Sequence, residues 1–159
     1  MSIMLIYNIC IVYCMRNTSP IIPILLEYSA ASNWDAAKLE WKLNEIEIRD
    51  DANAETCACG HYPIHELCII ENKITRIVLI VGNCCVNQIS SEFEELDKIF
   101  NAIKQNRINL AVIDYANKQN IINQWETSFL KNVWRKRNLS KKQSIKVEQI
   151  KMKIFKNIK

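Results

Sequence analysis

Cys57-Ala58-Cys59-Gly60-His61 sets two thiols one residue apart, and Cys84-Cys85 follows 25 residues after Cys59. Thiolates grouped in this way bind soft divalent cations. A close pair forms a knuckle whose turn points both sulfurs inward, and a later set completes a tetrahedron around Zn2+. The chain has 2 glycines, Gly60 and Gly82, and both stand beside these cysteines, where a knuckle and a strand-to-helix turn call for backbone angles that other residues resist. Cys57, Cys59 and Cys85 are the expected zinc ligands. The fourth is open among Cys68, His61, His65 and Cys84. Adjacent cysteines seldom point into one tetrahedron, so Cys68 is the first choice and His61 the second. Buried free cysteines are common small core residues, but that reading leaves C-x-C-G and the placement of both glycines unexplained. Iron–sulfur clusters draw four cysteines at other spacings, so the expected cofactor is one structural zinc ion.

Catalysis needs more than this cluster offers. Cys68 or Cys84 could serve as a nucleophile with His61 or His65 as its base, or zinc could activate a water. A catalytic zinc site, however, keeps a position open and favours histidine and carboxylate over a cysteine-rich set. With 2 histidines in the chain, both accounted for by the knuckle loop, no acid–base pair stands out. Two glycines also exclude a glycine-rich phosphate loop. The expectation is a binding protein and not an enzyme.

A second chemistry lies at the other end of the chain. Lys131 to Lys159 holds 11 Lys/Arg and one acid, Glu148, a balance of +10, against 10 basic and 16 acidic residues, or −6, before it. Arg135, Lys136, Arg137, Lys141, Lys142 and Lys146 are the candidate contacts to nucleic-acid phosphates, with an affinity that would fall steeply with salt. No base-reading set appears beyond Gln143 and Gln149. The bland alternative is a basic end folded back on the acidic body. A third reading is a protein-interaction adaptor that grips a partner through Trp125, Phe129, Trp134 and Phe155, although a short chain spends its few aromatics on its own core first.

The elements that must position these groups follow from periodicity. Residues 1–15 (MSIMLIYNICIVYCM) are apolar but short of the roughly 20 residues of a membrane-spanning helix, and no basic residue precedes Arg16, as a secretory leader would require. Pro20 and Pro23 should interrupt regular structure, so residues 1–27 are expected outside the fold. Asn33 caps a short helix over 34–38. Leu39, Trp41 and Leu43 then alternate with charged residues as a half-buried strand ending at Asp50-Asp51. Residues 67–71 and 77–81 flank Asn72-Lys73-Ile74-Thr75 as a β-hairpin, and Cys84-Cys85 opens a helix, where free N–H groups favour thiolate.

After residue 90 the pattern becomes helical. Ser91 with Glu94 forms a capping box for a helix to about residue 106, and helices are expected over 110–119 and 123–136. The second of these carries Trp125, Phe129, Val133 and Trp134 as core. Ser140 with Gln143 caps a final basic helix. The predicted fold class is α+β: a small treble-clef-like zinc unit with a β-hairpin over 28–90, then a helical region over 91–159. Seven cysteines, an odd number without a secretory leader, point to a reducing, cytoplasmic setting and not to a disulfide framework.

At these residues the chain resembles a family of small zinc-binding proteins of bacteria and phages for which no activity is known. The matching stretches are SNWDAAKLEWKL, ETCACGHYPI with LCIIEN, VGNCCV, INQWETSFL and RKRNLSKKQ, which together span about Tyr28 to the C-terminus. The resemblance implies zinc-site positions at Cys57, Cys59, Gly60, Gly82 and Cys85, and tolerance of almost any residue at Cys84. It departs at Ile89, where an aromatic residue is expected. Residues 1–27 have no counterpart in it.

Overall fold

The computed structural model describes residues 20–89, 93 and 95–158. The chain is α+β: a three-stranded antiparallel sheet and then several helices. It forms two compact units that divide between Glu94 and Glu95. No helix among the described residues is long and apolar enough to cross a membrane.

The first unit begins earlier than the sequence pattern indicates. Helix α1 spans Ile21–Glu27, and its Ile21 and Leu25, one turn apart, are fully buried. Pro20 precedes the helix and Pro23 lies in its first turn, where backbone N–H groups have no intrahelical acceptor and proline forfeits nothing. The expectation that residues 1–27 stand outside the fold is therefore corrected for 21–27; residues 1–19 lie outside the described residues. The loop after α1 is tied down by a buried carboxylate. Glu40 accepts hydrogen bonds from the Ala30 and Ala31 N–H groups at 2.9 and 2.8 Å and from Asn72 Nδ2 at 2.7 Å. Trp41 Nε1 donates to Ser29 Oγ at 3.0 Å, and Thr75 Oγ1 donates to the Tyr28 carbonyl at 2.9 Å.

Helix α2, Trp34–Glu40, starts where Asn33 Oδ1 accepts from the Ala36 N–H. It includes Leu39, which is 70% exposed, so the strand alternation expected from Leu39 begins only at Trp41. Strand β1 (Trp41–Ile48) pairs with β2 (Glu66–Asn72), and β2 pairs with β3 (Val78–Gly82), in the order β1-β2-β3. The β2–β3 hairpin turns on Asn72, whose Oδ1 accepts from the Ile74 and Thr75 N–H groups. Ile46, Cys68 and Val81 are direct cross-strand neighbours and all buried. A four-residue helix, α3 (Asn83–Val86), follows β3 without a gap.

The second unit contains α4 (Leu96–Lys104), α5 (Leu110–Lys118), α6 (Gln124–Val133) and α7 (Lys141–Asn157). The expected capping box at Ser91 and Glu94 lies outside the described residues. Asn109 caps α5, Asn123 and Glu126 form a capping box on α6, and Ser140 and Gln143 form one on α7; each supplies an acceptor to N–H groups the helix leaves free. The core draws Phe100 from α4, Ile113 from α5, Leu130 from α6, and Ile150 and Ile154 from α7. Helix α6 buries Glu126, Thr127, Leu130 and Val133. Trp125, expected in the core, is 59% exposed. The inward stripe of α6 runs through positions 126, 130 and 133, which places residue 125 beside that stripe and not on it.

Candidate metal centre

The knuckle is built on the edge of β3. The Ala58 N–H donates to the Ile80 carbonyl at 2.8 Å, which fixes the loop against the strand. Within the loop, the Cys57 N–H donates to the His61 carbonyl at 2.9 Å and the Gly60 N–H to the Cys57 carbonyl at 2.7 Å. This closes a tight turn that needs Gly60 at φ +86°, a conformation that costs other residues strain. Gly82 serves a different purpose: its φ of −74° is ordinary. A Cβ there would lie 3.2 Å from Ile64 Cγ2, and its N–H donates to Cys57 Sγ at 3.3 Å. Close approach, and not an unusual backbone angle, is what requires glycine at that position.

Strand β3 leads directly into α3, whose third residue is Cys85, and Asn83 Nδ2 anchors the start of that helix to Glu66 Oε2 at 3.0 Å. The outcome is a group of three cysteines, Cys57, Cys59 and Cys85, whose sulfurs all lie within 4.8 Å of one another and could hold a metal ion. Cys85 Sγ is 3.5 Å from Cys59 Sγ. Hydrogen bonds from the Cys57 and Cys85 thiols hold the Cys59 pKa far below the ordinary thiol value. Cys57 is pushed up by donating to Cys59 and by burial. Cys85 is pushed up by Cys57 and Cys59, and then by burial. Three sulfurs this close resist ionising side by side, and a divalent cation held among them would offset that repulsion.

The remaining candidates stand elsewhere. Cys68, expected as the fourth ligand, is in the middle of β2 between Ile46 and Val81 and is outside the three-cysteine group. Leu67 pairs with Gly82 beside the knuckle, but successive strand residues face opposite ways, so Cys68 joins the sheet core instead. His65 turns to Asp51, its Nε2 3.6 Å from Oδ1. Cys84 is half-buried and also outside the group. His61 lies near enough to Cys59 to favour its charge electrostatically. None of the five described cysteines is in a disulfide.

The expected phosphate-binding residues belong to the second unit. Arg135, Lys136, Arg137, Lys141 and Lys142 are exposed, and Lys146 is half-buried. Four acids of that unit are each paired with another lysine: Glu95 with Lys98, Asp114 with Lys131, Glu126 with Lys153 and Glu148 with Lys151. Compared with known proteins, the chain matches no family model, no curated protein and no solved structure.

Proposed function

We propose that the chain is a structural-zinc protein whose second unit binds nucleic-acid phosphates. Zinc would be held by Cys57, Cys59 and Cys85, with His61, from the same knuckle, as the fourth ligand. Three converging thiols, two on a knuckle and one on the short helix that follows a hairpin, support a treble-clef-like reading, and a cysteine-rich set suits a structural ion better than a catalytic one. In that reading the metal carries no turnover; it fastens the knuckle to β3 and α3.

The observation that carries the phosphate reading is the distribution of ion pairs. Lysines of the second unit pair with four of its acids, whereas Arg135, Lys136, Arg137, Lys141 and Lys142 have no carboxylate within 4.0 Å among the described residues. Cations left in water this way attract polyanions and release their counterions on binding. The test is elemental analysis of the purified chain together with binding of labelled oligonucleotides across a salt series. One zinc per chain is expected, and log K should fall against log salt with a slope of about −4 if six phosphates of a single strand are neutralised. Absence of binding at low salt would remove the phosphate reading, and absence of metal would remove the zinc reading.

A further inference from the structure

We infer that the outer face of the second unit around Trp125 is a stacking platform for single-stranded nucleic acid, an inference that rests on the phosphate reading and specifies its substrate class. Trp125 is the largest exposed ring of the described chain, 59% exposed at the start of α6. It is also held flat. Phe129, one turn along, lies parallel to it with ring centroids 5.3 Å apart and planes 7° from coplanar. A stacked ring of this kind keeps its orientation while leaving much of its surface in water. It therefore loses little conformational freedom when a planar ligand is added.

The surroundings favour an anionic ligand. Lys146 reaches from α7 to place its Nζ over the Trp125 ring, 5.4 Å from the centroid, so a base stacks on that face as the lysine swings aside to the phosphate. Lys142, one helical turn before Lys146, is exposed. The acid next to Trp125, Glu126, is buried and committed, accepting from Lys153 Nζ at 2.8 Å and from the Asn123 N–H at 3.0 Å. Its charge is thus cancelled where a phosphate would approach. Trp134 is a contrasting case, half-buried with the Arg135 guanidinium 4.4 Å from its ring.

A flat aromatic surface beside lysines is how sequence-tolerant single-strand binders work: bases stack on the ring and cations follow the backbone. Bases inside a duplex are already stacked on each other and cannot reach Trp125. The platform therefore implies a preference for single strands, of DNA or RNA, that phosphate contacts alone would not give.

The experiment uses the full chain with three labelled probes of equal length, an oligothymidylate, an oligouridylate and a blunt duplex, read by fluorescence anisotropy at low salt. Both single strands should bind more tightly than the duplex. Trp125→Ala should weaken single-strand binding by about 10-fold and leave duplex binding unchanged, while Trp125→Phe, which keeps an aromatic face, should retain most of the affinity. Unchanged circular dichroism of both variants would tie the loss to the ring and not to folding. If all probes bind and Trp125→Ala affects none of them, or affects all equally, the platform is overturned and the phosphate reading stands. If no probe binds, both fail, and Trp125 is free to serve a protein partner.

Discussion

Cys57 and Cys68 are both buried cysteines of the first unit, yet they belong to different environments and their substitution should separate a ligand from a core residue. Cys57→Ser removes a sulfur that converges with two others and accepts the Gly82 N–H; the expected outcome is loss of bound zinc with marked destabilisation. Cys68→Ala trims a side chain between Ile46 and Val81. It should retain one zinc and cost about 1 kcal/mol, the usual scale for a small core change. Elemental analysis and thermal melting of the two variants check this, and loss of zinc from Cys68→Ala would return Cys68 to the ligand set. The sequence makes Cys57, Cys59 and Cys85 legible because C-x-C-G and the second glycine are local signals. It does not exclude Cys68, since strand parity matters there and parity depends on a register that only the folded sheet sets. The two glycines show a similar division: Gly60 is a turn requirement visible in the motif, whereas Gly82 answers to Ile64, 18 residues earlier in the chain.

At the scale of elements, the sheet is held to the segments around it by carboxylates, which gives the fold a defined response to acid. Glu71 on β2 is held down to about 2 by hydrogen bonds from Asn44, Lys42 and Arg76. Glu40, at the end of α2, is also lowered, chiefly by Asn72 and then by the Ala30 and Ala31 N–H groups, against the cost of its burial. A carboxylate whose folded pKa is depressed adds stability that is fully present above its unfolded value and is lost as pH falls toward the folded one. Stability should therefore decline from about pH 4.5 downward, with the Glu71 share disappearing near pH 2. Glu71→Gln should lower stability at neutral pH and flatten this decline, as read by urea melts across the acid range; an unchanged slope would mean that the Asn44, Lys42 and Arg76 interactions do not persist in solution. The hairpin and the caps at Asn33 and Ser140 are legible in the sequence because alternation and S-x-x-Q are short-range patterns, whereas the caps at Asn109 and Asn123 come to light only with the helices they start. The helix over Ile21–Glu27 is not. Two prolines suggest a break, and only its position against the rest of the unit reveals that Pro23 falls in the permissive first turn.

The whole chain divides its charge along with its structure. Residues 1–94 carry 6 Lys/Arg and 12 Asp/Glu, a balance of −6, and residues 95–159 carry 15 and 5, a balance of +10. Each unit has its own core, Ile46, Leu67, Ile70 and Val81 in the first and Phe100, Ile113, Leu130 and Ile154 in the second. The three-cysteine group lies entirely in the first. Structural zinc in small sites contributes roughly 10–16 kcal/mol apparent, comparable with the whole stability of a domain, roughly 5–15 kcal/mol. If the proposed zinc is of this kind, its removal should be enough to unfold the unit that holds it and should leave the other intact. Amide hydrogen exchange before and after chelation reads both units in one sample. Exchange should accelerate through the knuckle, β2, β3 and α3, while α4 to α7 retain their protection. Equal acceleration in both units would show that the second depends on the first for its fold. No change in either, with zinc demonstrably removed, would mean that the metal is bound without holding the structure together, and the structural role proposed for it would fall.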